Sequence, residues 1–220
     1  MERHQGACRN ATRTPGGLAL ITELVLATHN PHKVVEMRTM LTDLGIQVRS
    51  LAEFDGAPEV NEDGTTYEEN ALKKARSAAA FTGKPALADD TGLEVEVLDG
   101  RPGVHAARFA GEHCSFEDNI KKLLGLLNGI PPERRGARFI SVLALVTPDG
   151  REEVVRGELE GRITEQPTGV GGFGYDPVFF SVEAGKTLAE LSAEEKNQIS
   201  HRRRAVDKAR ELFKRQTIGA

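Results

Sequence analysis

The spacing of apolar residues changes several times along the chain, and each change marks an element. "LVLA", residues 24–27, is a short unbroken apolar run, the pattern of a strand covered on both faces. After it, Val34, Met37, Leu41 and Leu44 recur at helical spacing, and Gly45 stands where a C-cap belongs. "IQVRSL" predicts a second strand, followed by an irregular acidic stretch over 55–64. Thr66 and Glu69 form a capping box for a helix with Ala71, Ala75, Ala78 and Ala79 on one face, and Gly83 closes it. "PALADD" is strand-like, and "LEVEVL" continues it or pairs with it. Residues 116–128 predict a helix through Ile120, Leu123, Leu124 and Leu127. "ARFISVLALVTPDGREEVVRGELEGRI" reads as two long strands turning at "PDG". The C-terminal stretch is helical, with Ile199, Val206, Ala209 and Phe213 assigned to one face. The sum is an α/β chain with a mixed sheet flanked by helices, and no internal repeat.

Composition narrows the classes. The chain has 220 residues, 39% hydrophobic and 28% charged, enough for one large domain or one domain with two lobes. Its 29 basic and 33 acidic side chains leave a net charge of −4, which argues against a dedicated nucleic-acid or membrane-surface binder. Two distant cysteines, Cys8 and Cys114, make neither a disulfide framework nor a zinc ribbon and suit a reducing cytoplasm. No apolar run approaches the roughly 20 residues of a membrane span. Residues 1–22 carry Arg3, Arg9 and Arg13 among Thr, Pro and Gly, and "LALI" is too short for a signal-peptide core. They read as a flexible extension, or as the product of an upstream start codon, ahead of a domain over 23–215.

Four places carry candidate chemistry. In "ATHNPHK", Asn30 suits an N-cap and Pro31 the first helical position, so the helix starts with backbone N–H groups aimed at the turn. With Thr28 and Lys33 beside them, this turn can hold an anion such as phosphate. An ordinary capped helix with a solvated lysine is the commoner outcome of such a stretch. In "LADDTG", Asp89 and Asp90 end an apolar run, where ligands gather in open α/β sheets. Side chains alternate along a strand, so the two carboxylates point to opposite sides. Magnesium needs only one or two carboxylates when phosphates and waters complete its shell, and Glu62 is the second candidate. Turn chemistry accounts for "DDTG" equally well. In "GVGGFGYDPVFF", glycines around Phe173 let backbone approach a flat ligand on which the ring can stack, or the phenyl enters the core. In "EEKNQISHRRR", Ser192 and Glu195 form a capping box, Ser200 can cap the next helix, and Lys196, His201 and Arg202 are donors near the junction. Arg203 and Arg204 read as a solvated helix face.

Together, "ATHNPHK", "YEENALKKA", "ALADDTGLEVEVLDGRPGVHAARFAG", "GGFGYDPVF" and "EKNQISHR" resemble, in order and spacing, the inosine/xanthosine triphosphate pyrophosphatases, which remove deaminated purine nucleotides. The resemblance runs from about Glu23 to Phe213. It implies an elongated twisted sheet with two lobes, the active site in the cleft between them, and a homodimer. It implies magnesium-dependent hydrolysis of ITP, dITP and XTP to the monophosphate and pyrophosphate, which keeps deaminated bases out of DNA and RNA. Carried over by position, Thr28, Asn30, Lys33 and Lys74 cradle the triphosphate, and Thr91 bonds near it. Glu62 and Asp90 hold the metal, Asp90 is the base for the attacking water, and Asp89 supports it. Phe173, Gly174, Tyr175 and Asp176 line the base pocket, and Lys196, His201 and Arg202 contact the base. Thr91 stands where the bacterial family usually has Ser, keeping a hydroxyl, and residues 1–22 have no family counterpart. A pyrophosphatase for pyrimidine or modified nucleotides is argued against by "GGFGYDP" and "SHR". A nucleotide- or RNA-binding module without catalysis, using "SHRRRA" and Phe173, is argued against by the net charge and the Asp89–Asp90 pair.

Overall fold

The computed structural model describes residues 21–218. Five helices and eight strands form there: β1 (Glu23–Leu26), α1 (Pro31–Leu41), β2 (Gln47–Ser50), α2 (Tyr67–Thr82), β3 (Ala86–Val95), β4 (Pro102–Gly103), α3 (Phe116–Leu126), β5 (Gly136–Val146), β6 (Glu152–Ile163), β7 (Phe179–Ser181), β8 (Lys186–Thr187), α4 (Ala193–Ile199) and α5 (His201–Ile218). The sheet runs β2-β1-β3-β5-β6-β7-β8, with β4 paired to β3. β2, β1 and β3 are parallel, and every other pairing is antiparallel. The expected mixed α/β sheet is therefore present. "PALADD" and the first half of "LEVEVL" run on as one strand rather than a pair, and Glu96–Leu98 forms a short 3-10 turn.

β3, β5 and β6 hold 10, 11 and 12 residues. At about 3.3 Å per residue they reach roughly 33–40 Å, long enough to serve a separate core at each end. At one end the sheet is covered on both faces. Leu24, Leu26, Leu87, Leu143 and Leu145 pack against Val34 and Met37 of α1 and Val206, Ala209 and Phe213 of α5. On the opposite face, Val25, Ala86, Ala88, Ile140, Val142 and Ala144 meet the predicted alanine face of α2, whose small side chains let the helix sit close. At the far end, Leu93, Val95, Phe139, Leu159 and Ile163 pack with Leu123 and Leu127 of the α3 segment and with Val178 and Phe179. These two ends are the two lobes.

Local signals set the element ends. Thr66, Ser115 and Ser192 each form a capping box, and Gly83 closes α2 in the left-handed region. Ser200 is extended, and its Oγ accepts from the Arg203 amide at 3.1 Å, so α4 stops and α5 begins there. This break corrects one reading: Ile199 belongs to α4 and packs on the far core, away from Val206, Ala209 and Phe213. Gly157 on β6 is required for α5 to dock. A Cβ there would meet the His201 carbonyl at 2.2 Å and the Ala205 amide at 2.3 Å. Of the expected N-terminal extension, residues 1–20 lie outside the described residues. Its last two residues belong to the fold: Ile21 is buried in the α1/α5 core, and the Thr22 carbonyl accepts from the Gln47 amide at 2.9 Å. No helix among the described residues is long and apolar enough to cross a membrane.

Candidate active site

β3 passes between the lobes, and its alternation distributes the central residues. Asp89 and Thr91 face α1 and α5, while Asp90 and Gly92 face α2. The two carboxylates point to opposite sides, as the strand reading requires, and both are buried.

Their surroundings differ sharply. Asp89 is surrounded by donors: Lys33 Nζ at 3.0 Å, Arg202 Nε at 3.0 Å, Ser141 Oγ at 2.7 Å and Thr91 Oγ1 at 3.0 Å. Burial favours its neutral form, but Arg202 and Lys33 prevail and hold it well below the usual carboxylate range. Asp90 Oδ1 accepts from Lys74 Nζ at 2.7 Å, its buried Oδ2 meets no donor, and the Glu62 carboxylate lies close beside it. Burial pushes its carboxyl up to about 6, with the Glu62 carboxylate adding to the rise and Lys74 opposing it. Lys74 also reaches Glu62 at 3.2 Å and the Asp89 carbonyl at 3.1 Å. Although burial disfavours its charge, Asp90 and Glu62 keep Lys74 protonated beyond the ordinary lysine range.

The turn after β1 folds as a cap, with one difference from expectation. Asn30 Oδ1 accepts from the His32 and Lys33 amides at 3.0 and 3.4 Å, so the helix-start N–H groups face their own cap and are not free for an anion. Thr28 Oγ1 accepts from the Asn30 amide at 3.1 Å. What the turn offers a ligand is therefore side chains. Thr28, Asn30, Lys33, Glu62, Lys74, Asp89, Asp90 and Thr91 all line one cleft of about 410 Å³.

A second cavity adjoins it through Asn30, Lys33 and Thr91, which line both. It brings together the remaining expected residues: Phe173, Gly174, Tyr175, Asp176, Lys196, His201 and Arg202. The glycine loop bends around Asp176, whose Oδ2 accepts from the Phe173 amide at 2.8 Å. Gly172 sits at φ +70° with Asp176 Oδ2 only 2.1 Å from where a Cβ would be, so no other residue fits. The half-buried Phe173 ring stacks on His32 at 5.2 Å, with Lys196 Nζ 4.6 Å from its centroid. Lys196 Nζ is also held by Asp176 at 2.6 Å and Glu36 at 3.0 Å. Arg202 donates to Thr91 Oγ1 at 3.1 Å and to Glu36. His201 stacks on Phe139 with centroids 4.6 Å apart, and burial, with Arg202 and Lys196 nearby, holds its imidazole neutral. Both of its ring nitrogens are buried without a partner. A neutral imidazole donates from one nitrogen and accepts at the other, so this ring can pair with a ligand bearing both functions.

Sequence reasoning missed two residues. Glu36 is the half-buried bridge between Lys196 and Arg202. Its signal was its position three residues after Lys33, on the same helix face. Ser141 supports Asp89, and its signal was a lone hydroxyl inside the apolar run "FISVLALV".

The donor set near Asp90 suits a hard cation. Its orphaned buried oxygen and the adjacent Glu62 carboxylate offer two oxygen ligands, and a bound cation would relieve their repulsion. Among the described residues no group of three or more His, Cys, Asp or Glu side chains is arranged to hold a metal. The remaining ligands would then be waters and substrate oxygens.

A model of the Ham1 family matches residues 24–212, and the chain belongs to that family. It is 52% identical over 193 residues to a dITP/XTP pyrophosphatase of Desulforamulus reducens, covering 88% of this chain and 96% of that protein. It is 55% identical over 183 residues to one of Symbiobacterium thermophilum, covering 83% and 90%. The fold matches a HAM1 protein from Coxiella burnetii with TM-score 0.80 at 40% identity, covering 88% of this chain and 98% of that one.

Proposed function

We propose that this protein hydrolyses the nonstandard purine nucleoside triphosphates ITP, dITP and XTP to the monophosphate and pyrophosphate, acting as a house-cleaning enzyme of the nucleotide pool. The relatives at about half identity are dITP/XTP pyrophosphatases, and the chain covers nearly their whole length. The observation that carries the reading within this chain is the location of its unsatisfied buried groups. Asp90, which lines the cation-lined cleft, and His201, which lines the adjoining pocket, both carry buried polar atoms with no protein partner.

In this reading the base enters the pocket beside Phe173, and the triphosphate follows the cleft past Lys33 and Lys74. Lys196 and Arg202 can only donate, so they match the oxygen at position 6 of hypoxanthine or xanthine and oppose the amino group of adenine. Glu36 and Asp176 hold these two donors in place without needing the ligand. Asp90 takes a proton from the water that attacks the α-phosphorus, since a carboxylate poised near 6 is ionised at neutral pH yet basic enough to accept it. Asp89, saturated by donors, fixes Lys33, Thr91 and Arg202 and takes no part in proton transfer. Lys33 and Lys74 offset the charge of the departing pyrophosphate. Glu62 and Asp90 would hold magnesium, which when bound supplies charge neutralisation at the phosphates and polarises the water.

We further propose cytoplasmic location and a homodimer, each following the family resemblance, and a residue 1–22 segment without part in the chemistry. The test is pyrophosphate release from a panel of ITP, dITP, XTP, GTP, ATP, dTTP and CTP, with and without magnesium. Fast release from ITP and XTP that requires magnesium supports the reading. Equal or faster release from a pyrimidine triphosphate or from ATP overturns it.

A further inference from the structure

We propose that Arg108 is a phosphate-binding residue that holds the pyrophosphate end of the substrate from the second lobe, across the cleft from Lys33 and Lys74. This rests on the pyrophosphatase reading and extends its binding set.

Arg108 ends the short 3-10 turn Ala106–Arg108 and is half-buried in the wall of the cleft that holds Lys33, Lys74, Glu62 and Asp90. Its contacts are uncharged. Nη2 donates to the Glu62 carbonyl at 2.8 Å and lies 3.4 Å from His105 Nδ1. Nε and Nη1 have no partner among the described residues, and no carboxylate pairs with the guanidinium. The other cations of the site are already matched: Lys33 to Asp89, Lys74 to Asp90 and Glu62, Lys196 to Asp176 and Glu36, and Arg202 to Asp89 and Glu36. Without Arg108 the cleft carries two lysines against Glu59, Glu62, Asp89 and Asp90, a net negative wall for a polyanion. An unpaired guanidinium adds a cation that no carboxylate already matches and a fork of donors suited to phosphate oxygens.

Its place in the cleft assigns it to the phosphates. Asn30, Lys33, Thr91 and Ala107 line both cavities and so mark the junction between them. Arg108 lines the cleft alone, as do Lys74, Glu62 and Asp90, and is absent from the pocket beside Phe173, which sets it on the phosphates and not on the base. The turn is also held firmly. Tyr175 Oη donates to the Ala106 carbonyl at 2.9 Å, and Asn119 Nδ2 donates to the Ala107 carbonyl at 3.1 Å. The loop that carries Phe173 therefore also sets the position of Arg108, which links base binding to the grip on the far phosphates.

The experiment compares the full-length wild type with Arg108→Gln and Arg108→Lys in magnesium. Pyrophosphate binding is read by calorimetry, inhibition of ITP hydrolysis is read with pyrophosphate and with IMP, and each variant's melting temperature is recorded. Arg108→Gln is expected to weaken pyrophosphate binding roughly tenfold to hundredfold, the scale of a charge-assisted hydrogen-bond pair, with IMP inhibition unchanged. KM for every triphosphate tested rises by a similar factor. Arg108→Lys keeps the charge but loses the fork, so its pyrophosphate affinity falls between the two; it carries the test alone should the glutamine variant unfold. Unchanged pyrophosphate binding, or equal weakening of pyrophosphate and IMP, overturns the proposal and leaves Arg108 as a brace for the Glu62 loop. A wild type that binds pyrophosphate but releases none from ITP or XTP refutes the function instead, and the calorimetric comparison still judges Arg108.

Discussion

Asp90→Asn preserves the shape of the side chain and removes its charge, which separates catalysis from folding. The native carboxyl sits near 6 because burial, reinforced by Glu62, outweighs the pull of Lys74. An unfolded aspartate titrates near 3.9, so the gap of about 2 pKa units corresponds to a strain on the order of 3 kcal/mol. The sign follows from the folded value lying above the unfolded one. Protonation favours folding, so this contribution is complete below about pH 4 and is lost as the pH rises through about 6. At neutral pH the asparagine imitates the protonated acid and recovers part of that energy. Lys74 loses one ion pair but keeps Glu62 at 3.2 Å and the Asp89 carbonyl at 3.1 Å. In metal-free buffer the variant should therefore melt at or above the wild-type temperature, while turnover of ITP, read after magnesium is added, falls at least about a hundredfold, the lower range for one general base. Calorimetry and a pyrophosphate-release assay on the same samples read both numbers. Near-normal turnover would remove Asp90 as the base. A clear drop in melting temperature would show that the ionised carboxylate holds the fold together.

The same group sets the pH profile: kcat/KM is expected to be flat above neutrality and to fall about tenfold per unit below pH 6, and raising magnesium should move that limb to lower pH by displacing the proton. A profile with no acid limb down to about pH 4.5 contradicts this. Glu36→Gln weakens the carboxylate bridge between Lys196 and Arg202; it should cost roughly 3 kcal/mol of stability and raise KM for ITP, and an unchanged melting temperature and KM would show the bridge to be idle. Arg202→Ala should narrow the ratio of kcat/KM for ITP over ATP, whereas Lys33→Ala should lower both alike; a ratio unmoved by Arg202→Ala removes Arg202 from base reading.

What was legible in the sequence was what short-range rules control. The α2 capping box, the glycine at its end and its alanine face depend on residues within one or two turns, and the helix forms as spaced. The β5–β6 hairpin declares itself through two apolar runs and "PDG". β7 and β8 were not separated from the glycine-rich loop, because strands of three and two residues carry no measurable period. Most residues of the two cavities stood out by local chemistry at the four candidate stretches, and Lys74 was reached through motif resemblance. Their partners were not, because Glu36 meets Arg202 only after 166 residues of chain have folded, and no local pattern reports that pairing. At Asn30 the cap forms as read, and the expectation of free helix-start amides does not hold. The rule placed it correctly, but whether the helix-start amides face a ligand or their own cap depends on one side-chain torsion.

The pairing of Asp89 with Asp90 shows how one backbone property creates two chemical roles. Neighbours on a strand project to opposite faces, so adjacent identical residues enter unrelated environments. The α1/α5 face brings Lys33, Arg202, Ser141 and Thr91 to Asp89, more donors than a base could tolerate. The α2 face brings Asp90 a single lysine, a competing carboxylate and an oxygen left without a partner. One carboxylate is thereby fixed as an anion that organises cations, and the other is left poised to exchange a proton or take a metal. Swapping the assignments would require shifting β3 by one residue in its register with β5, which would carry Leu87 and Leu93 out of their cores. The apolar residues of β3 that set the register therefore also decide which aspartate is surrounded by donors and which keeps an oxygen without one.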